Sequence, residues 1–186
     1  APTPNSLLDP GTYTVDANPK NVHSAWADYG DHTSGIGEML IVNAACNDGE
    51  GAGCSSVVQV IWEQTVSVSP NTEYVFTYYL SSSYSEALAN ISTSSNGTEI
   101  VQDLEPSTTG QWEAVSYSWN SGASSSATIT LEDLTRAYQG DDFAIDDISL
   151  CLAGEVYGLC AGQTMDVGYV QVWNNATTLY VKYQIT

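Results

Sequence analysis

The sequence predicts an all-β protein: an antiparallel jelly-roll sandwich followed by a C-terminal β-hairpin or strand extension. Three observations predict it. Short runs alternate apolar and polar residues with the period of two that a pleated strand imposes. Gly, Pro, Asn and Ser clusters punctuate those runs at short spacing, the pattern of a sandwich or jelly roll rather than of alternating strands and helices. Helical periodicity is scarce, Ser85–Ala89 being the one candidate turn.

The elements follow in order. Met39–Val42 is an apolar strand. Val57–Val68 alternates through Val58, Val60, Trp62 and Gln64 before Ser69-Pro70-Asn71 turns the chain. Glu73–Ser81 sets Tyr74, Phe76, Tyr78 and Leu80 on one face, and Trp62 and Phe76 are expected in the core. Gln111–Trp119 separates Trp112, Ala114, Ser116 and Ser118 from Val115, Tyr117 and Trp119; Ala127–Leu131 and Phe143–Leu150 complete the set. Ala45–Ser56, Gly-rich and bracketed by Cys46 and Cys54, looks like a stapled surface insertion, and Ser81–Thr98 like an exposed Ser-rich loop. The expected division is a jelly-roll domain over 1–151, a linker over 152–164 closed by Cys151 and Cys160, and a β segment over 165–186.

At 186 residues the chain is long enough to bury a sizeable core. Twenty-two acidic and three basic residues (Lys20, Arg136, Lys182) give a formal charge of −19. That balance argues against nucleic acid and against an anionic membrane surface, both of which need Lys or Arg. No stretch approaches the ~20 apolar residues of a helical membrane span. The 42% hydrophobic content and 12 tyrosines speak for a folded chain despite the charge.

Secretion is expected from several signals. Ala1-Pro-Thr-Pro-Asn5 looks like a mature N-terminus left by signal cleavage. The four cysteines fall in two close pairs without zinc-type spacing and without a nearby histidine, which favours disulfides, local pairing being the simplest connectivity. Asn90, Asn96 and Asn175 head Asn-x-Ser/Thr acceptors for glycosylation.

One constellation carries chemistry: Asp31-His-Thr-Ser-Gly-Ile-Gly-Glu-Met-Leu-Ile-Val-Asn43, and Phe143-Ala-Ile-Asp-Asp-Ile-Ser-Leu150. Calcium takes six to eight oxygens from carboxylates and from carbonyls of irregular backbone. Asp31 with its Thr-Ser-Gly loop offers both, and alternation along the closing strand points one of Asp146 and Asp147 toward the core side. A carboxylate there is costly unless it is paired or holds a metal.

These two motifs resemble the hallmarks of MAM-type and related galactose-binding-like jelly rolls of secreted adhesion and carbohydrate-binding proteins, over roughly residues 12–151. The resemblance implies Ca2+ between the opening and closing strands. Its ligands would be Asp31, the carbonyls near Thr33 and Gly35, and Asp146 or Asp147. The glycine-acid pair that usually opens such domains has no counterpart in Asp9-Pro-Gly-Thr-Tyr-Thr14, which leaves Asp9, Asp16 and Glu38 as candidates for the N-terminal ligand.

Catalysis is not expected. The histidines are His23 and His32 alone, and no nucleophile elbow, zinc-protease pair or phosphate loop is present. Aromatic side chains suit sugar rings, although most aromatics at strand spacing fill a core; Tyr78, Tyr79 and Tyr84 are the expected platform.

The tail remains. Val167, Tyr169, Val170 and Val172, then Leu179, Val181, Tyr183 and Ile185, form two strand-like runs around Asn174-Asn175. A lone two-stranded hairpin is marginal in water, and an unpaired apolar edge templates another chain. The tail therefore extends its own sheet, opens a further module, or pairs with another copy. The last is the preferred expectation: a secreted structural subunit that polymerises through residues 165–186 by strand addition. The alternative is a calcium-stabilised carbohydrate-binding or adhesion module with glycans as partners.

Overall fold

The computed structural model describes residues 5–44, 59–135, 137, 139–154, 167–174 and 179–185, the last two segments as strand backbone. Eleven strands and one short helix make up the described chain: β1 Thr12–Asp16, α1 Pro19–Val22, β2 Met39–Asn43, β3 Gln59–Ser67, β4 Glu73–Tyr84, β5 Asn90–Ser95, β6 Thr98–Leu104, β7 Glu113–Asn120, β8 Ser126–Asp133, β9 Asp142–Leu152, β10 Val167–Asn174 and β11 Leu179–Ile185. A five-stranded sheet in the order β1-β2-β9-β4-β7 faces a four-stranded sheet in the order β3-β8-β5-β6, and all pairings are antiparallel. This is an all-β sandwich of the jelly-roll class, as expected. β10 and β11 pair with one another in a separate two-stranded sheet.

The core lies between the two sheets. β4 turns Tyr74, Phe76, Tyr78 and Leu80 inward, β8 turns Ala127, Ile129 and Leu131, and Ile91 and Val115 join from β5 and β7. Each such large side chain fully removed from water contributes about 1.5–3 kcal/mol. Trp62 and Phe76 pack in this core with ring centroids 6.4 Å apart, as expected.

β9 departs from simple alternation. Phe143 and Ile145 face the core, but so do Ile148, Leu150 and Leu152, so the inward parity switches between 145 and 148. The register against β4 slips by one residue at the same place, Thr77 pairing Ser149 and Tyr79 pairing Asp146, and Asp147 there has φ of +51°. A β-bulge inserts one extra residue and re-aims its neighbours. The expectation that one of Asp146 and Asp147 faces the core is therefore corrected. The bulge sends both outward.

A second, smaller apolar cluster covers the outer face of the β1-β2-β9 half. Leu7, Val22 and Trp26 from the N-terminal segment lie on Met39, Ile41 and Ala144. Helix α1 starts where Asn18 accepts from the Lys20 N–H at 2.9 Å and Pro19 supplies a preset φ. Asp16, buried at the end of β1, accepts from the Asn18 N–H at 3.0 Å and from Asn21 Nδ2 at 2.7 Å.

Two further expectations are corrected. Ser85–Ala89 contains no helix, and its connection runs irregularly from β4 to β5. Ser81–Thr98 is not an exposed loop: β4 runs on to Tyr84, β5 occupies Asn90–Ser95, and Ser81, Ser82, Ser83, Ser92, Ser94 and Ser95 are buried. Small hydroxyl side chains fit narrow interior space that branched apolar ones would overpack. The β5–β6 turn is Asn96-Gly97, both at positive φ, the hairpin pair that matches strand twist.

Candidate functional site

The Asp31 motif folds into a loop docked on the β9 bulge. Asp31 accepts from the Ser34 N–H at 3.0 Å, the Ser34 hydroxyl at 3.0 Å and the Gly37 N–H at 2.6 Å. Burial opposes ionisation of Asp31, but the donors of Ser34 and Gly37 outweigh it and hold the carboxyl below its ordinary value. Asp146 accepts from the His32 N–H at 2.9 Å. Asp147 lies 2.8 Å from His32 Nδ1 and accepts the Thr33 hydroxyl at 2.7 Å. The sequence motifs are thus brought together in space as expected, from 114 residues apart.

Hydrogen bonds within the loop engage the carboxylates expected to hold calcium. A cation needs lone pairs converging on a point, whereas N–H and O–H hydrogens are directed at these carboxylates. Thr33 gives its hydroxyl to Asp147, and Gly35 gives its N–H to the Asp31 carbonyl at 3.2 Å. Asp16 is engaged at the helix cap, and the Asp9 carbonyl accepts from the Thr12 hydroxyl. Glu38 is exposed. Among the described residues no set of three or more His, Cys, Asp or Glu side chains is placed to hold a metal.

The three platform tyrosines separate. Tyr78 is fully buried in the core, so it offers no platform; it lies on the inward face of β4, where burial pushes its hydroxyl pKa upward. Tyr79 faces outward and carries the His32 ring stacked on it, centroids 3.4 Å apart. Trp112 meets His32 edge-on at 6.1 Å and donates Nε1 to the Gly30 carbonyl at 3.1 Å. Tyr84 alone lines a cavity.

That cavity, about 440 Å3, opens where the N-terminal cover meets the start of β9. His23, Trp26 and Tyr84 give it aromatic walls; Asn43, Gln139 and Asp142 give it polar ones. His23 stacks on Trp26 with centroids 4.6 Å apart, and Trp26 Nε1 donates to Asp142 Oδ2 at 3.1 Å. The Asp142 carboxyl is buried, and the Ala44 backbone also donates to it. Burial is the main cause that pushes Asp142 up to about 7, against the donors of Trp26 and Ala44. Close by, burial pushes Glu105 up to about 9, with Asp141 and Asp142 adding repulsion. Sequence reasoning missed Trp26, Asn43 and Asp142. Their only sequence signal was the Asp141-Asp142 pair heading an apolar strand.

Asn90 opens β5 and donates its side-chain amide to Gln102 at 3.2 Å. Asn96 is exposed, accepting from the Thr128 N–H at 3.0 Å and donating to the Ser126 carbonyl at 3.4 Å. Asn175, Cys46, Cys54 and Cys160 lie outside the described residues; Cys151 is disulfide-bonded.

The backbone register places the expected assembly residues on the hairpin. Val170 pairs Tyr183, Val172 pairs Val181, and Val167 pairs Ile185, with Leu179 opposite Asn174, all on one face. A bulge between Val167 and Tyr169 sets Tyr169 opposite Gln184, on the other face with Gln171, Trp173, Tyr180 and Lys182. No described helix is long and apolar enough to cross a membrane.

No family model matches the chain, and no curated protein matches it. Solved structures do resemble it. The C-terminal domain of EclA, a sugar-binding protein, is 17% identical with a TM-score of 0.46, over 57% of this chain and 72% of its own. The Stig cyclase Fisc from Fischerella sp. TAU is 16% identical with a TM-score of 0.48, over 80% and 81%. The CBM22-1 xylan-binding domain of Paenibacillus barcinonensis Xyn10C is 13% identical with a TM-score of 0.42, over 79% and 90%. None of these likenesses says what this chain binds.

Proposed function

We propose that the domain is an extracellular carbohydrate-binding module whose sugar occupies the cavity of His23, Trp26 and Tyr84. The observation that carries this reading is the cavity wall: the stacked rings of His23 and Trp26 and the ring of Tyr84 stand beside the Asp142 carboxyl, which Trp26 Nε1 holds at 3.1 Å. Aromatic walls suit the C–H faces of a sugar, and Asn43 and Gln139 suit its remaining hydroxyls. The net charge of −19 favours a neutral sugar over an anionic one. The disulfide at Cys151 and the acceptor asparagines favour an oxidising, extracellular setting.

The test is a glycan array on the monodisperse protein, followed by calorimetry with Tyr84→Ala and Asp142→Asn. Specific binding that weakens at least about tenfold (~1.4 kcal/mol) in each variant supports the reading. No binding across neutral glycans, or binding indifferent to both variants, overturns it.

A second reading is favoured by a separate observation. The hairpin β10–β11 joins neither sheet of the sandwich. A two-stranded sheet by itself is marginal in water, which favours a structural subunit that assembles with other copies through that hairpin. Deleting residues 165–186 should leave a folded monomer, and filaments that persist after the deletion would rule assembly through the hairpin out.

A further inference from the structure

Among the described residues, the two sheets do not close over one another at the β1 and β3 side. Strand β1 is an edge of the five-stranded sheet, and β3 is the edge of the four-stranded sheet. Tyr13 pairs Val42 and Val15 pairs Leu40, both partners packed in or against the core, so Tyr13 and Val15 lie on the core-facing side of their sheet. Yet they are 69% and 53% exposed. Val60 on β3 is 56% exposed. Between these edges runs a groove of about 260 Å3 lined by Tyr13, Val42, Val60 and Ile61. On the opposite side of the sandwich, outward positions of β7 are Ala114, Ser116 and Ser118, and the edge strand β6 exposes Glu99 and, at its end, Leu104.

An uncovered stretch of core face beside an edge strand is a receptor for an added strand, since the edge offers unpaired N–H and C=O groups and the groove takes alternate apolar side chains. The same chain carries an element of matching character. Residues 167–186 contain no carboxylate and one lysine, Lys182, while the remaining 166 residues have a formal charge of −20. The hairpin sets Val170, Val172, Leu179, Val181 and Tyr183 on one face. A hairpin without acid is the segment of this chain that the acidic sandwich repels least.

We propose that β1 and the β1–β3 groove receive the C-terminal hairpin of a second copy, its apolar face over Tyr13, Val15, Val42 and Ile61. This rests on the second reading above and adds the receiving site to it. Donor and receiver are different surfaces, so the contact is heterologous, and repetition gives an open chain of subunits rather than a closed dimer.

The experiment uses the full chain and two variants: Val15→Lys with Val60→Lys at the receiver, and Val172→Lys with Val181→Lys at the donor. Edge lysines block strand addition while leaving exposed positions folded, which circular dichroism verifies. Sedimentation and negative-stain microscopy should show polymers for the unaltered chain and monomers for each variant alone. Mixing the two variants should give a dimer and nothing larger, because each has one intact surface. Polymers lost in the donor variant but kept in the receiver variant would move the receiving site elsewhere and leave hairpin assembly standing. Polymers kept in both variants would overturn hairpin assembly itself, and a monomeric unaltered chain would overturn both.

Discussion

The imidazole of His32 lies flat on the ring of Tyr79, centroids 3.4 Å apart and planes 15° apart, with its Nδ1 2.8 Å from Asp147 Oδ2. The ring is thereby fixed from two directions, and it ties a loop near the start of the chain to the bulge in β9. Stacking and charge-assisted hydrogen bonding are each worth about 1 kcal/mol or somewhat more. His32→Ala and Asp147→Ala should each lower stability by roughly 1–3 kcal/mol. Because donors rather than a cation neutralise these acids, the loss should be the same in EDTA and in calcium. Urea unfolding in both buffers reads this directly, and a loss confined to one buffer would point to a bound ion.

The buried acids make stability depend on pH with a definite sign. Glu105 and Asp142 ionise at ordinary values of 4.5 and 3.8 when unfolded, and burial raises them to about 9 and about 7 in the fold. The folded state then retains protons that the unfolded chain has released, so this contribution is complete below about pH 4 and declines as pH rises. Asp142 loses its share through about pH 7 and Glu105 through about pH 9. Thermal unfolding should show falling Tm from pH 5 to 9. Glu105→Gln should flatten the slope, and exposed Glu113→Gln should not. A steeper fall in Glu105→Gln, or an unchanged one, would contradict the assignment.

Strand positions were legible where large apolar residues alternate, as in Tyr74, Phe76, Tyr78 and Leu80, because the pleat imposes that period on any half-buried strand. β5 was not legible, since Ile91-Ser-Thr-Ser-Ser95 reads as loop by composition although all five residues are buried. Ile91, Thr93 and Ser95 pair with buried positions of β8 while Ser92 and Ser94 are buried on the other face, which no local pattern records. Asp31, His32 and Thr33 were recognised as partners of Asp146 and Asp147, but the bulge that aims both acids outward was not. The cavity was the least legible feature. Trp26 and Asp142 are 116 residues apart and meet only because the N-terminal segment folds over the outer face of the β1-β2-β9 half of the sheet.

The Asn96-Gly97 turn should be sensitive out of proportion to its exposure. Asn96 holds φ of +50° and binds β8 through both ends of its amide, at Thr128 and Ser126. Asn96→Ala removes two hydrogen bonds and leaves a residue less suited to left-handed backbone, an expected cost of about 1–2 kcal/mol. Denaturant midpoints measure it. A cost below a few tenths would mean the amide does not tie the hairpin to β8.

Gly30 is a glycine at which a side chain would have no room. A Cβ there would lie 2.0 Å from the Gly35 carbonyl oxygen, backbone against backbone, so neither atom can yield without moving the loop. The same residue's carbonyl receives the Trp112 indole at 3.1 Å. Gly30→Ala should therefore push the Asp31 loop off the bulge, costing about 1–3 kcal/mol or more for the overlap alone. It should also shift tryptophan emission as Trp112 loses its acceptor. Gly122→Ala is the control: its φ is +54° but nothing lies within 4 Å of the added carbon, so only the backbone preference of about 1–2 kcal/mol is lost. Equal losses in stability and unchanged emission in both variants would show that the close approach at Gly30 does not hold the loop in place.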